Sequence, residues 1–160
     1  YMLLQYLSLD ILGFMNTTGA TYPPVLVVED DEMIARLLVG HLQDSGYVVL
    51  TATTKDEAIQ LIRENKFGMI VVDTRISGIN LRELRIVTKT AEKTSDILPI
   101  SNLAHEEEVG RLWEEGLFFD FIKLTDPSQF DSALVELAIR KRFELQKREK
   151  LQEMSRERRR

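Results

Sequence analysis

The chain of 160 residues has no cysteine and only two histidines, His41 and His105. Without cysteine it forms neither a disulfide nor a thiolate metal site, and a reducing compartment is compatible with this composition. Neither histidine has a plausible partner in the sequence, so we expect both to be ordinary surface or boundary residues. The composition therefore argues against a disulfide framework and against a metal site built on histidine.

The sequence also lacks an apolar run long enough to cross a membrane. Residues 1–15 are apolar, but they have no basic leading region and no small-residue cleavage site. They also fall short of the roughly 20 residues that a membrane-spanning helix needs. We therefore expect no signal peptide, no membrane anchor and a cytoplasmic protein. Whether residues 1–23 form a packed extension or precede a native start at Met15 stays open.

Charge is distributed unevenly along the chain. The segment 140–160 carries ten basic and four acidic residues, whereas residues 1–139 carry 11 basic and 22 acidic ones. Basic residues alternate with glutamates in this tail and aromatic residues are scarce, so nucleic-acid binding is not expected. We interpret residues 141–160 as a solvated helical extension or a coiled-coil linker, through which the protein could form a homodimer.

Short apolar runs alternate with segments of helical period from residue 25 onward. Several of the runs are apolar throughout, as in strands of a parallel sheet that is covered on both faces. The pattern predicts a doubly wound α/β domain with a five-stranded parallel sheet and helices on both faces. The predicted strands are 25–28, 47–52, 68–73, 97–102 and 118–124. The predicted helices are 32–46, 54–68, 81–94, 106–116 and 127–143.

Polar residues stand at the ends of four of these strands. Glu29 and Asp30 end the first strand, Asp73 the third, Ser101 the fourth and Lys123 the fifth. In sheets of this class, ligands bind beyond the carboxyl ends of the strands. Carboxylates hold Mg²⁺, while a lysine and a hydroxyl meet phosphoryl oxygens. The residues therefore indicate a site for a divalent cation and a phosphoryl group.

A more specific resemblance is carried by four segments, VLVVEDDE, MIVVDTR, ISN and FIKL. Asp73 lies 43 positions after Asp30, and Lys123 lies 22 positions after Ser101. In this order and at these spacings, residues 24–140 resemble the receiver domain of two-component response regulators, the CheY-like family.

The resemblance implies a role for each acid. Asp73 would be the nucleophile that takes a phosphoryl group from the phosphohistidine of a sensor histidine kinase or phosphotransfer protein. Asp30 would bind Mg²⁺ directly and Glu29 through water, and the backbone carbonyl of Arg75 would complete the protein ligands. The expected cofactor is therefore Mg²⁺.

Two further residues would complete the site. Lys123 would pair with a phosphoryl oxygen, and Ser101 would move toward the phosphoryl group and carry the switch. The resemblance thus implies a signalling switch that catalyses its own phosphorylation and hydrolysis, and not a metabolic enzyme.

The sequence departs from the family pattern at three positions. Asp120 replaces the aromatic residue that usually stands three positions before the lysine, which puts the usual coupling of hydroxyl to ring in doubt. Leu124 replaces the proline that usually follows the lysine, so we expect a trans peptide bond or an altered loop. Asn102 is larger than the usual residue after the hydroxyl, and we expect it to narrow access to Asp73.

Two other functions stay open. A degenerate receiver could act as a phosphate-independent dimerisation or docking module. A hydrolase of the haloacid-dehalogenase type would place its nucleophile at the end of the first strand. Within the acidic run that follows this strand, Asp31 and Glu32 are better explained as residues that start the first helix.

Overall fold

The computed structural model describes residues 22–90, 95–102, 105–124, 126, 128 and 130–159. Within them, five strands alternate with five helices. The strands are β1 (Val25–Val28), β2 (Val49–Ala52), β3 (Met69–Asp73), β4 (Asp96–Ser101) and β5 (Ile122–Lys123). The helices are α1 (Glu32–Asp44), α2 (Lys55–Glu64), α3 (Leu81–Thr90), α4 (Glu106–Glu114) and α5 (Ser132–Glu157). The segment 1–21 and the predicted end of the third helix at 91–94 lie outside the described residues.

The strands form one parallel sheet in the order β2-β1-β3-β4-β5. Val28 pairs with Val72, Asp73 with Ile100 and Ser101 with Lys123, so the strands end along one edge. The strand order reverses between β1 and β3, which is where doubly wound sheets bind their ligands. The predicted fold class is confirmed.

Two apolar layers cover the sheet. One face packs on α2, α3 and α4 through residues such as Ile62, Leu84 and Leu112. The other face packs on α1 and α5 through residues such as Leu38 and Ile139. Because β1 and β3 lie in the middle and are covered on both sides, every residue in them is buried. Their apolar runs therefore place the residues that end them at a fixed point on the sheet edge.

Strand β5 is shorter than the predicted span of 118–124. Its pairing with β4 begins at Ile100 and Ile122. The residue before this point is Pro99, which has no N–H to donate to a neighbouring strand. Phe118, predicted to be in the strand, instead packs from a loop into the core. The two-residue strand still brings Lys123 to the same sheet edge as Ser101.

Helix α5 starts later than predicted and continues into the predicted helical extension. It begins at Ser132, where the Asp131 side chain accepts a hydrogen bond from the N–H of Ala133, and continues to Glu157. Arg142 and Gln146 both donate hydrogen bonds to Asp96 at the start of β4, which fixes the helix to the sheet. Residues 147–157 are exposed. In the part of the chain that the structure describes, no helix is long and apolar enough to cross a membrane.

Candidate functional site

Three carboxylates gather where the strand order reverses. Glu29 follows β1 directly, Asp30 is the next residue, and Asp73 ends the neighbouring strand β3. One oxygen from each lies within 4.8 Å of the others. Glu29 is 2% exposed and Asp73 1% exposed, whereas Asp30 is open to solvent. The three acids predicted as cation ligands at the strand ends are therefore brought together, and Asp30 faces solvent.

Of the two buried acids, Glu29 has fewer hydrogen bonds than Asp73. Its Oε1 accepts a hydrogen bond of 2.9 Å from the N–H of Asp31. Its Oε2 is buried and has no hydrogen-bond partner among the described residues. Burial raises the pKa of Glu29 to about 8, and the neighbouring Asp73 contributes in the same direction. A buried carboxylate oxygen without a donor, beside two other acids, fits a divalent cation that would neutralise it.

Asp73 has its own internal counter-ion, the side chain of Arg75. The guanidinium Nη2 donates to Oδ2 at 2.6 Å and Nε to Oδ1 at 3.0 Å, while the backbone N–H of Arg75 donates to Oδ1 at 2.8 Å. Burial alone would raise the pKa of Asp73, but the hydrogen bonds from Arg75 outweigh it and hold this pKa below its usual range. Asp73 is therefore a carboxylate at neutral pH.

The role of this guanidinium was not predicted, because the family pattern implied a part only for the backbone carbonyl of Arg75. A basic residue two positions after a strand-ending acid is a signal that could have indicated it. The side chain of Arg75 is 26% exposed whereas that of Asp73 is fully buried, so the arginine links the buried acid to the surface. Any ligand of Asp73 has to share its oxygens with this arginine or displace it.

Ser101 and Lys123 reach the same edge but make other contacts. Ser101 is buried, and its Oγ donates a hydrogen bond of 3.1 Å to the carbonyl of Asn102. The ammonium of Lys123 forms an ion pair with Oε1 of Glu106, the first residue of α4. Neither side chain forms a hydrogen bond or ion pair with Asp73 in the described structure. The three acids thus lie together, whereas the Ser101 hydroxyl and the Lys123 ammonium bind other partners.

The three departures from the family pattern have distinct structural outcomes. Asp120 is exposed, and its Oδ1 accepts a hydrogen bond from the N–H of Phe121. The peptide bond between Lys123 and Leu124 is trans, one of the two predicted outcomes. Asn102 turns its Oδ1 to the N–H of His105. Its effect on access to Asp73 stays a prediction.

Both histidines are half-buried, as expected for boundary residues, but each has a hydrogen-bond partner, so the expectation that they lack partners was wrong. His41 Nδ1 lies 3.2 Å from the Oγ of Ser132 and joins α1 to α5. His105 Nδ1 lies 3.2 Å from the Oγ1 of Thr74, the residue after Asp73. The partners are 91 and 31 residues away in the chain, so only the tertiary fold brings them together.

The four acids after β1 fall into two pairs with different positions, and the second pair starts α1 as predicted. Asp31 caps α1, because its Oδ1 accepts hydrogen bonds of 3.0 Å from the N–H groups of Met33 and Ile34. Glu32 is the first residue of the helix and pairs with Arg36 on its exposed surface. These two acids therefore belong to the helix start, and Glu29 and Asp30 remain for the site.

Comparison with known proteins gives one consistent family. Residues 25–135 match the sequence model of the response regulator receiver domain. The transcriptional regulatory protein PhoP of Bacillus subtilis, which controls alkaline phosphatase synthesis, is 33% identical over 84 residues, or 52% of this chain and 34% of PhoP. The chain spans only about a third of the length of such curated relatives.

Solved structures of low sequence identity share the fold. One is the receiver domain of the sensor histidine kinase PA1611 from Pseudomonas aeruginosa, with a magnesium ion in its active-site cleft. It is 17% identical, has a TM-score of 0.61, and the match covers 77% of this chain and 98% of that one. A second is a response regulator from Burkholderia pseudomallei with a phosphorylated aspartic acid and a calcium ion. It is 23% identical, has a TM-score of 0.58, and the match covers 81% and 74% of the two chains.

Proposed function

Because the chain belongs to the response regulator receiver domain family of two-component signalling, we propose that it is a switch whose Asp73 accepts a phosphoryl group from a histidine kinase in the presence of Mg²⁺. The observation that carries the proposal is the cluster of Glu29, Asp30 and Asp73 with its buried, unpartnered Glu29 oxygen. The magnesium ion and the phosphorylated aspartate of the two structural neighbours support it.

In the proposed reaction, a carboxylate oxygen of Asp73 attacks the phosphorus atom of a phosphohistidine. The new P–O bond forms as the P–N bond breaks, and the electron pair returns to the imidazole, which takes up a proton. The low pKa of Asp73 keeps the nucleophile in its charged form at neutral pH. Hydrolysis of the acyl phosphate by water returns Asp73 to its starting state, so the protein cycles as a switch and not as a metabolic enzyme.

Four groups would hold the cation at this site. The carboxylates of Asp30 and Asp73 and the backbone carbonyl of Arg75 would contact Mg²⁺, and Glu29 would contact it through water. The ion would supply positive charge beside the transferred phosphoryl oxygens. The chain's own contribution is to hold these acids at adjacent strand ends, since Val28 and Val72, the residues before Glu29 and Asp73, are paired in the sheet.

The remaining side chains of the site would respond to the phosphoryl group. Lys123 would pair with one of its oxygens, and Ser101 would turn its hydroxyl toward it. Both side chains would first have to leave their present partners, Glu106 and the carbonyl of Asn102. Arg75 would likewise give up at least one oxygen of Asp73.

Binding of beryllofluoride, which imitates a phosphoryl group on a carboxylate, tests this proposal. With Mg²⁺ present, we expect amide NMR signals of the loops after β3 and β4 to shift in the parent protein. We expect no shift in Asp73→Asn, because its amide cannot hold the beryllium. Equal shifts in the two proteins, or none in the parent, would contradict the proposed site.

The phosphate-independent alternative is not favoured. The departures Asp120, Leu124 and Asn102 motivated it, but none of them disturbs the three-carboxylate cluster. The hydrolase hypothesis has lost its support, because the family match assigns the chain to receiver domains.

We also propose a receiver domain at residues 24–140 and a helical extension at 141–160, with residues 1–23 as a further extension.

The second half of α5 exposes Leu145, Leu151 and Met154, which a second copy of the helix could cover. We expect beryllofluoride to shift the sedimentation coefficient of the full chain toward that of a dimer, and Leu151→Glu to prevent this. A parent that stays monomeric at all concentrations would exclude the dimer.

A further inference from the structure

The partner of Lys123 in this structure is an acid of α4. The lysine ends β5, and its ammonium pairs with the carboxylate of Glu106, the first residue of that helix. The side chains are 56% and 33% exposed, respectively. Ion pairs of this kind contribute little to stability because water screens them. The lysine can therefore exchange this carboxylate for a stronger anion at small cost.

Phosphorylation of Asp73 would supply such an anion. A phosphoryl group carries a charge of about −1.5 to −2 at neutral pH, compared with one negative charge on a carboxylate. The strand pairing of Ser101 with Lys123 already places the lysine at the edge where Asp73 ends its strand. Two anions therefore compete for Lys123. One is the carboxylate of Glu106 on α4, and the other is the phosphoryl group, which is present only when Asp73 is phosphorylated.

We propose that Glu106 is a positioning residue that holds Lys123 in the resting domain, and that phosphorylation releases the first turn of α4 by taking the lysine away. This inference rests on the proposed function of Asp73. It gives the site a route to the α4 surface in a domain where the usual aromatic position is the exposed Asp120.

A second contact ties the same turn to the site. His105 precedes Glu106 and is the N-cap residue of α4, but its side chain makes no capping hydrogen bond. It contacts Thr74 instead, directly after Asp73. The start of α4 is therefore attached to the site by the Lys123–Glu106 ion pair and by hydrogen bonds of His105 to Thr74 and Asn102. Of these contacts, the ion pair is the one that a phosphoryl group would break.

Trp113, the only tryptophan of the chain, reports on this region. It lies in α4, and its Nε1 donates a hydrogen bond of 3.2 Å to the carbonyl of Phe119. Its ring contacts Phe121 edge to face at 5.9 Å, and the ammonium of Lys123 lies 6.0 Å from the centroid of the same Phe121 ring. A lysine that leaves Glu106 changes the surroundings of Phe121 and hence the fluorescence of Trp113.

The test compares the full-length parent with Glu106→Gln and with Glu107→Gln. Both variants remove one negative charge from the first turn of α4, but Glu107 is exposed and takes part in none of the ion pairs found among the described residues. Each protein is titrated with beryllofluoride in excess Mg²⁺ while Trp113 fluorescence and NMR shifts are recorded. Thermal unfolding confirms that all three are folded.

We expect Glu106→Gln to bind beryllofluoride about two- to fivefold more tightly than the parent, the range that a partly exposed ion pair supports. Its Trp113 fluorescence should change less on binding, because Lys123 is already free. Glu107→Gln should match the parent in both respects. Equal affinities and equal fluorescence changes in all three proteins would overturn the role of Glu106 alone. A parent that binds no beryllofluoride would overturn the proposed function and this inference with it.

Discussion

Replacing Arg75 with alanine is expected to lower the free energy of unfolding of the Mg²⁺-free protein by about 2–4 kcal/mol. Removing one partner of a buried ion pair costs about 3–5 kcal/mol, because the other charge is left uncompensated. The cost is smaller here because a quarter of the Arg75 side chain is exposed, although Asp73 is fully buried. Urea denaturation in the presence of a chelator measures this difference.

Mg²⁺ should compensate for the lost arginine. In Arg75→Ala the three acids have no internal counter-ion, so the cation should stabilise the variant more than the parent. Arg82→Ala is the matched control, because Arg82 also pairs with an acid but both side chains are about half exposed. Such pairs are worth about 0–1 kcal/mol. If both arginine variants lose the same stability and respond alike to Mg²⁺, Arg75 is not the counter-ion of the site.

Replacing Glu29 with glutamine is expected to weaken Mg²⁺ binding by about 10- to 100-fold, as the loss of an outer-shell metal partner does. The same change should stabilise the metal-free protein above about pH 8, the pKa of Glu29. Glutamine has no charge to bury, whereas Glu29 keeps an oxygen without a hydrogen-bond donor in the described structure. Calorimetric titration with Mg²⁺ and urea denaturation measure the two effects on one pair of proteins.

The pH dependence of stability follows from the raised pKa of Glu29. Its pKa is about 8 in the folded protein compared with 4.5 for an ordinary glutamate, so the folded state binds the proton more tightly. The contribution to stability is therefore complete below about pH 4.5 and is lost as the pH rises through about 8. We expect the metal-free parent to lose at least about 1 kcal/mol across this window, and Glu29→Gln to lose less.

Glu32→Gln serves as the control for both measurements. Glu32 belongs to the same acidic run, but it is exposed and pairs with Arg36 on the surface of α1. It should leave Mg²⁺ affinity and the pH profile unchanged. A loss of Mg²⁺ affinity in Glu32→Gln as large as that in Glu29→Gln would mean that the cation is held elsewhere in the run.

The strands and the acids could be predicted from the sequence because both depend on local patterns. The apolar runs of β1 and β3 are typical of buried parallel strands, and a polar residue that ends such a strand lies at the edge where the sheet binds its ligands. This is why the amino-acid sequence alone was enough to place Glu29, Asp30 and Asp73 at one edge.

The partners of the long charged side chains could not be predicted in this way. Arg75 and Lys123 each have several rotatable bonds, and their contacts depend on which acid the fold brings within reach. Glu106 lies 17 positions before Lys123 and meets it only because α4 begins close to the end of β5. The same limit explains why the partners of the histidines, which are far away in the chain, could not be predicted.

Intact mass after treatment with acetyl phosphate tests most directly whether Asp73 is a phosphoacceptor. With Mg²⁺, the parent protein should gain the mass of one phosphoryl group, and a chelator should prevent the gain. Asp73→Asn, shown by circular dichroism to be folded, should gain none. An Asp73→Asn protein that gains the same mass as the parent, or a parent that gains none with Mg²⁺ present, would show that Asp73 is not the phosphoacceptor.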